Sequence, residues 1–228
     1  MKKWRVIQGR LRTRLFFVLD RFFPERISGV CYWKMRAEAF GIASVLNLAH
    51  GEAGIESVTE KQKREIYPFL KSWLDGTECL VLDFGCGPGR FTKDLASMIQ
   101  GKAIGVDPVS VLLSMAPSAE NVEYRLMREG VIPVPDSQVD VAWVCLVLGG
   151  LTDSILQQTA RELRRVMKGG ALLFLIENTS VKENGPHWIF RTHDEYRQVF
   201  SWAKLTSLHD YEDLGERISI MAGRKFEG

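Results

Sequence analysis

From Cys79 onward the chain alternates short apolar runs, rich in β-branched residues, with longer stretches whose apolar positions recur every three or four residues. The short runs predict strands at Cys79–Phe84, Lys102–Val106, Val122–Arg125, Val139–Val147 and Ala171–Ile176. The stretches between them predict helices near Arg90–Ile99, Val109–Met115 and Thr152–Met167. In the last, Ile155, Leu156, Thr159, Ala160, Leu163, Val166 and Met167 share one face, and the Gly169–Gly170 pair is expected to end it. The run VDVAWVCLVL is apolar almost throughout. That spelling marks a strand buried on both faces, as in a parallel sheet covered by helices. Two final runs, Ala203–Tyr211 and Arg217–Arg224, are separated only by a short EDLGE-type turn. A parallel crossover needs about a dozen residues, so these two are expected to pair antiparallel.

Upstream of Cys79 the pattern is helical. It predicts a helix over Tyr32–His50, a glycine-containing loop over His50–Ile55 and a helix from about Thr59 to Trp73. Thr59 with Gln62 has the T-x-x-Q form of a capping box. There is no internal repeat or low-complexity linker. The division expected is a basic amphipathic segment at 1–26, a helical cap at 27–75 and an α/β domain at 76–228, with helices on both faces of a mostly parallel sheet.

The length of 228 residues suits one well-buried domain with an added cap. No apolar run approaches bilayer length, and the N-terminus lacks the apolar core of a signal peptide, so a cytoplasmic protein is expected. Cys31, Cys79, Cys86 and Cys145 show no C-x-x-C spacing, which fits reduced thiols better than disulfides or a zinc site. Net charge is only +2, but it is unevenly spread. Residues 1–26 carry Lys2, Lys3, Arg5, Arg10, Arg12, Arg14, Arg21 and Arg26 against Asp20 and Glu25, interleaved with Leu11, Leu15, Phe16, Val18, Leu19, Phe22 and Phe23. Such a segment can lie on an anionic surface such as the inner membrane, or pack its apolar face on the domain with its arginines solvated. Nucleic acid is not the expected partner, since no recognisable nucleic-acid module accompanies the basic residues.

The chemistry concentrates in VLDFGCGPGR, residues 81–90. Gly85, Gly87 and Gly89 allow a sharp turn after the first strand and a close approach of backbone to a ligand. A dinucleotide fingerprint would read G-x-G-x-x-G. Here the spacing is G-x-G-x-G, and Pro88 removes one N–H donor, which argues against a pyrophosphate cradle and a dehydrogenase. The second strand ends in GVDP, placing Asp107 where a carboxylate accepts from ribose hydroxyls. Loop and acid together describe a pocket for a ribonucleoside without a diphosphate tail.

VLDFGCGPGRFT, GVDP, IPVPDSQVDVAWVCLVL and LRRVMKGGALLFLIE together resemble the class I S-adenosylmethionine-dependent methyltransferases of the type 11-like group, over about Trp73–Arg224. The resemblance implies a Rossmann-like seven-stranded sheet whose last strand runs antiparallel between the fifth and sixth, with S-adenosylmethionine as cofactor. It implies that Asp83, Gly85, Cys86 and Gly87 surround the methionine moiety, that Asp107 holds the ribose and that Pro108 lies beside the adenine. Cys145 and Leu146 would line the floor near the sulfonium. Two segments depart from the pattern. Relatives often carry Gly-Asp-Ala where this chain has Met127-Arg128-Glu129-Gly130, so the adenine contact falls to Glu129 or to backbone atoms, because Arg128 cannot accept a hydrogen bond. Gly149-Gly150 stand where His-His is common.

Methyl transfer from a sulfonium needs proximity, alignment and exclusion of water, and an alcohol acceptor also benefits from a general base. The candidates are Glu177, at the end of the fifth strand, and His187, beyond an Asn-Gly-Pro turn. Glu177 has a second reading as an organiser of the loop. His193 and Asp194 read as a helix start, and Arg36, Arg191 and Arg197 as binders of an anionic acceptor or as solvated surface residues. The wording YWKMRAEAFG, LIENTS and GPHWIFRTHDEY is similar to a bacterial subgroup associated with surface polysaccharide biosynthesis. The expectation is O-methylation of a sugar or lipid-linked glycan precursor. The alternatives are a quinone-like or amine small-molecule acceptor, and a non-catalytic S-adenosylmethionine-binding partner protein.

Overall fold

Seven strands form where the apolar runs lie, in a computed structural model that describes residues 2–22, 28–50 and 54–227, without the side chains of 2–10. They are β1 (Leu80–Phe84), β2 (Lys102–Asp107), β3 (Val122–Leu126), β4 (Val139–Cys145), β5 (Met167–Asn178), β6 (Thr206–Asp213) and β7 (Glu216–Arg224). The helices are α1 (Lys2–Phe22), α2 (Gly29–Phe40), α3 (Ile55–Trp73), α4 (Thr92–Met98), α5 (Ser110–Leu113), α6 (Asp153–Val166) and α7 (His193–Val199). One sheet contains all seven strands in the order β3-β2-β1-β4-β5-β7-β6. The first five strands are parallel, and β7 runs antiparallel between β5 and β6. The β6–β7 hairpin closes through Leu214 and Gly215, with φ of 53° and 74°, the two left-handed residues of a type I′ turn.

The unbroken apolar spelling of β4 and β5 follows from burial on both faces. Val81, Val141, Trp143, Phe174 and Ile176 meet Ile66 and Leu70 of α3 and Leu95 of α4. Leu82, Phe84, Ala142, Val144 and Leu175 meet Leu156 and Leu163 of α6 and Tyr196 of α7. Trp143 and Phe174 stack with centroids 5.5 Å apart. On the N-terminal side, Phe16 of α1 inserts against Tyr32 and Phe40 of α2. The sheet order reverses at β1, which has β2 on one side and β4 on the other. Ligand crevices in such sheets open there, beyond the carboxyl ends of the strands.

Four local expectations need correction. The helix over Tyr32–His50 starts at Gly29 and stops at Phe40, because Gly41 turns left-handed at φ 61°; two 3-10 segments, Gly41–Val45 and Leu48–His50, follow. Thr59 and Gln62 do not cap a helix. The helix begins at Ile55, so Thr59 lies one turn inside and its hydroxyl donates to the Ile55 carbonyl at 2.6 Å. The capping box forms instead at α7, between Thr192 and Glu195. Gly169 and Gly170 do not end α6, which stops at Val166; both lie in β5, whose first residue Met167 is buried and pairs with Val139. Finally, β4 ends at Cys145 rather than Val147, since Leu146 adopts φ 56° and breaks the extended run. Residues 51–53 of the expected glycine loop, and the 26/27 boundary, lie outside the described residues.

Candidate functional site

β1 delivers Asp83 and then the glycine loop to the crevice. Gly85 and Gly87 have φ of 70° and 54°, so both use conformations that side chains disfavour. A Cβ on Gly85 would lie 2.5 Å from Val147, and one on Gly87 3.0 Å from Val45. The loop is therefore pinched between the end of β4 and the helical cap. Its backbone is tied to β2: Gly85 and Cys86 N–H donate to the Val106 carbonyl at 2.8 and 3.1 Å. Asp107 completes the tie, with Oδ2 accepting from Gly87 N–H at 3.0 Å and Oδ1 from Val109 N–H at 2.7 Å. Burial pushes the Asp107 carboxyl up to about 6 against the pull of these two donors. Asp83 accepts from the Thr92 hydroxyl at 2.6 Å, and burial pushes it up to about 7, opposed by that bond and by Arg90.

A cavity of about 120 Å³ occupies this place. Of the eleven residues expected around the cofactor, Asp83, Gly85, Cys86, Gly87, Asp107 and Pro108 line it. Met127, Cys145 and Leu146 do so as well. Arg128 and Glu129 do not. The MREG segment is a tight turn in which Val131 N–H donates to the Arg128 carbonyl at 2.9 Å, with Glu129 and Gly130 at φ 53° and 73°. It leaves the Arg128 and Glu129 side chains exposed. Of this segment only Met127 stays in the wall.

Sequence reading missed Arg90. It follows the glycine loop directly, lines the cavity and donates to Thr59 Oγ1 at 3.0 Å and Gln62 Oε1 at 2.9 Å. Its position after Gly89 was the one available signal, and the α3 partners were not readable. Trp33 and Val45 close the cavity from the cap. A glycine cradle, a carboxylate at the end of β2, and Asp83 with Arg90 in one wall match the groups of S-adenosylmethionine: a ribose diol, an ammonium and a carboxylate. The residues present fit that cofactor.

A second cavity of about 350 Å³ shares Trp33, Val45 and Leu146 with the first. Tyr32, Trp33, Trp188 and Phe190 give it aromatic walls, and His50, His187, Asn178, Asp213 and Glu216 give it polar ones. His187 is where the Asn-Gly-Pro turn suggested, in this wall. Its ring stacks on Tyr32 at 3.8 Å, and Nε2 meets Asp20 Oδ1 of α1 at 2.9 Å. A second pair, missed from sequence because its members lie far apart in the chain, joins His50 Nε2 to Asp213 Oδ2 at 3.1 Å. A carboxylate only accepts, so in both pairs Nε2–H donates.

Glu177 lines neither cavity. It is fully buried beneath the turn after β4, and Oε1 accepts from Val147 N–H at 2.9 Å and Leu148 N–H at 2.8 Å. Burial pushes it up to about 7 despite those donors. Arg191, also buried, donates to the Leu148 and Leu151 carbonyls of the same turn. Arg36 lines the second cavity, but its guanidinium is taken by the Ser44 and Leu46 carbonyls and the Tyr32 hydroxyl. Arg197 is half-exposed beside Asp194, and His193 opens α7 with Nε2 2.7 Å from Ser219 Oγ.

The Gly149-Gly150 departure has a steric reason. A Cβ on Gly149 would stand 2.3 Å from the Trp188 ring, and one on Gly150 3.4 Å from Trp33. The pair makes room for two tryptophans of the second cavity. Gly149→Ala should displace Trp188 and cost about 1–3 kcal/mol, the usual range for overpacking. Thermal denaturation should show the lower midpoint; an unchanged midpoint would mean that Trp188 is free to move.

Residues 81–170 match the family described as a methyltransferase domain. Among curated proteins, the chain is 28% identical over 150 residues to the N-demethylindolmycin N-methyltransferase of Streptomyces griseus, covering 58% of this chain and 62% of that one. It is 25% identical over 178 residues to a tRNA N(3)-cytidine methyltransferase of Danio rerio, covering 64% and 49%. The chain spans about half the length of the curated relatives it matches. Among solved structures it resembles a SAM-dependent methyltransferase of Aquifex aeolicus, with a TM-score of 0.56 at 23% identity over 75% of this chain and 98% of that one. A second, from Methanosarcina mazei, gives 0.60 at 19% over 72% and 99%. At these identities the structural likeness is one of fold: the Rossmann-like methyltransferase sheet with its antiparallel C-terminal hairpin. The matched domain implies S-adenosylmethionine as the cofactor.

Proposed function

We propose that this chain, which carries a methyltransferase domain at residues 81–170, transfers a methyl group from S-adenosylmethionine to a hydroxyl of a sugar or of a lipid-linked glycan precursor. The observation that carries the acceptor half of this reading is the second cavity, joined to the first through Trp33, Val45 and Leu146. Aromatic faces from Tyr32, Trp33, Trp188 and Phe190 on one part of its wall and hydrogen-bonding groups on another suit a ring that is apolar on its faces and hydroxylated at its edge.

S-adenosylmethionine supplies a methyl group already activated by the sulfonium. Asp107 holds the ribose, Asp83 and Arg90 orient the amino-acid end, and the glycine loop lets backbone approach it. Trp33 and Val45 exclude water where the two cavities meet. His50 and His187 each present an imidazole held in place by a carboxylate, the arrangement of a general base. Glu177 orders the turn bearing Val147 and Leu148 and touches no acceptor. In this scheme residues 27–75 form a cap that carries half of the acceptor site, and residues 76–228 form the cofactor domain.

A second reading replaces the sugar by an amine. Asp213 and Glu216 in the cavity wall favour it, as does the likeness to a relative named as an N-methyltransferase. Incubation with methyl-labelled cofactor and matched panels of sugars, polyprenyl-linked glycans, quinols and amines separates these. Labelling of sugars alone supports the proposal; labelling of amines or quinols alone replaces the acceptor class. Cofactor binding with no transfer to any panel would make the chain a non-catalytic partner. With a sugar acceptor, alanine at whichever histidine is the base should lower kcat about a hundredfold with KM little changed. Neither His50→Ala nor His187→Ala doing so would remove base catalysis from the scheme.

A further inference from the structure

We propose that α1 is an interfacial helix that docks the protein on an anionic membrane surface. The helix turns a mixed face to the protein and an apolar one away from it. Thr13, Phe16 and Asp20 lie on the side turned to the protein, where Thr13 donates to the Ala39 carbonyl, Phe16 is buried against Tyr32 and Phe40, and Asp20 holds His187. Leu11, Leu15, Val18 and Phe22 follow one another at helical spacing about half a turn away, and they are 49–68% exposed. Folding has thus satisfied one face and left the other uncovered.

Every other exposed large apolar side chain outside α1, among the described residues, stands alone on its helix, strand or loop. The stripe on α1 is a contiguous run three helical turns long, and the same spacing continues backwards in the sequence to Ile7 and Trp4. Its flanks are cationic. Arg12 lies on one side of the stripe, Arg14 and Arg21 on the other, and all three are exposed. Arg21 also lies over the Phe22 ring, 5.9 Å from its centroid. Asp20, the acidic residue of α1, is turned away and paired. An apolar stripe flanked on both sides by arginine is complementary to acyl chains beneath anionic headgroups, and each basic residue adds to the attraction. No helix among the described residues is long and apolar enough to cross a bilayer, so the helix would lie in the interface plane.

The inference stands without the acceptor assignment, but it bears on it. Phe16 and Asp20 touch Tyr32 and His187 in the wall of the second cavity. A docked α1 therefore holds that cavity within about 10–12 Å of the membrane, the diameter of one helix, where a lipid-linked molecule can reach it.

The test is cosedimentation of the full chain with vesicles of phosphatidylglycerol and phosphatidylcholine, against vesicles of phosphatidylcholine alone, at low and high salt. Binding should require the anionic lipid and weaken with salt. The double variant Leu15→Glu/Val18→Glu, whose positions face solvent and should leave the melting midpoint unchanged, should lower the partition coefficient at least about tenfold. Arg12→Gln/Arg14→Gln/Arg21→Gln should lower it on anionic vesicles only. Three results would overturn the proposal: no vesicle binding by the intact chain, undiminished binding by the Glu double variant, or self-association through the stripe in place of vesicle binding. Tight binding to RNA without vesicle binding would likewise replace the membrane by another polyanion.

Discussion

Asp107→Ala should weaken S-adenosylmethionine binding about a thousandfold in calorimetric titration. A carboxylate that accepts from two ribose hydroxyls makes two charge-assisted hydrogen bonds of about 1.5–3 kcal/mol each, and about 1.4 kcal/mol is tenfold in affinity. The same side chain also binds Gly87 N–H and Val109 N–H, so its loss leaves two buried donors unpaired and loosens the glycine loop. Both effects act on one cavity and in one direction. The pH dependence follows from the carboxyl being pushed up to about 6 by burial. Accepting from hydroxyls needs the ionised form, so affinity should fall as pH drops through 6 and level off above it. Asp107→Asn should be weak and flat across that range. Affinity within tenfold of wild type for Asp107→Ala, in a protein with an unaltered far-UV spectrum, would reject the ribose assignment.

Glu177→Ala should cost about 3–5 kcal/mol of unfolding free energy in a urea titration. The substitution takes the acceptor from two buried partners, each costing about 1–3 kcal/mol when left unpaired, and leaves a cavity. The partners here are Val147 N–H and Leu148 N–H, with Arg191 bound to the carbonyls of the same turn. Glu177→Gln keeps an acceptor oxygen and should be much milder, with methyl transfer retained; a kcat loss in Gln as large as in Ala would restore Glu177 as a catalytic candidate. The sign of the pH effect is opposite to the usual carboxylate case. Burial raises the folded carboxyl to about 7 from an ordinary 4.5, so the native state holds the proton more tightly than the unfolded chain. The associated stability is complete below about 4.5 and is lost as pH rises through 7. Glu177→Gln should flatten that decline.

Glu177 also shows the limit of reading position along a strand. Its place at the carboxyl end of β5 is the place where ligand sites gather, yet its side chain turns under the backbone of β4's exit rather than into a cavity. Arg128 and Glu129 fail for a related reason: two consecutive left-handed residues, Glu129 and Gly130, turn the segment outward. The T-x-x-Q at Thr59 is a motif without its context, since Ile55 had already started the helix.

The sequence alone carried the seven strands, their burial on both faces, the antiparallel hairpin, the glycine loop and Asp107, because each depends on neighbours in the chain. Apolar periodicity decides which faces are buried, connection length decides how adjacent strands pair, and a missing Cβ decides where backbone can turn. It also carried the amphipathic character of α1, but not which of its faces would be covered. That choice, together with the His50–Asp213 and His187–Asp20 pairs, the reach of Arg90 to Gln62, and the fit of Trp188 against Gly149, joins residues from distant parts of the chain. Such contacts follow from how the cap is placed on the sheet. No local spacing encodes that placement, because side-chain packing between elements sets it only once the elements have formed.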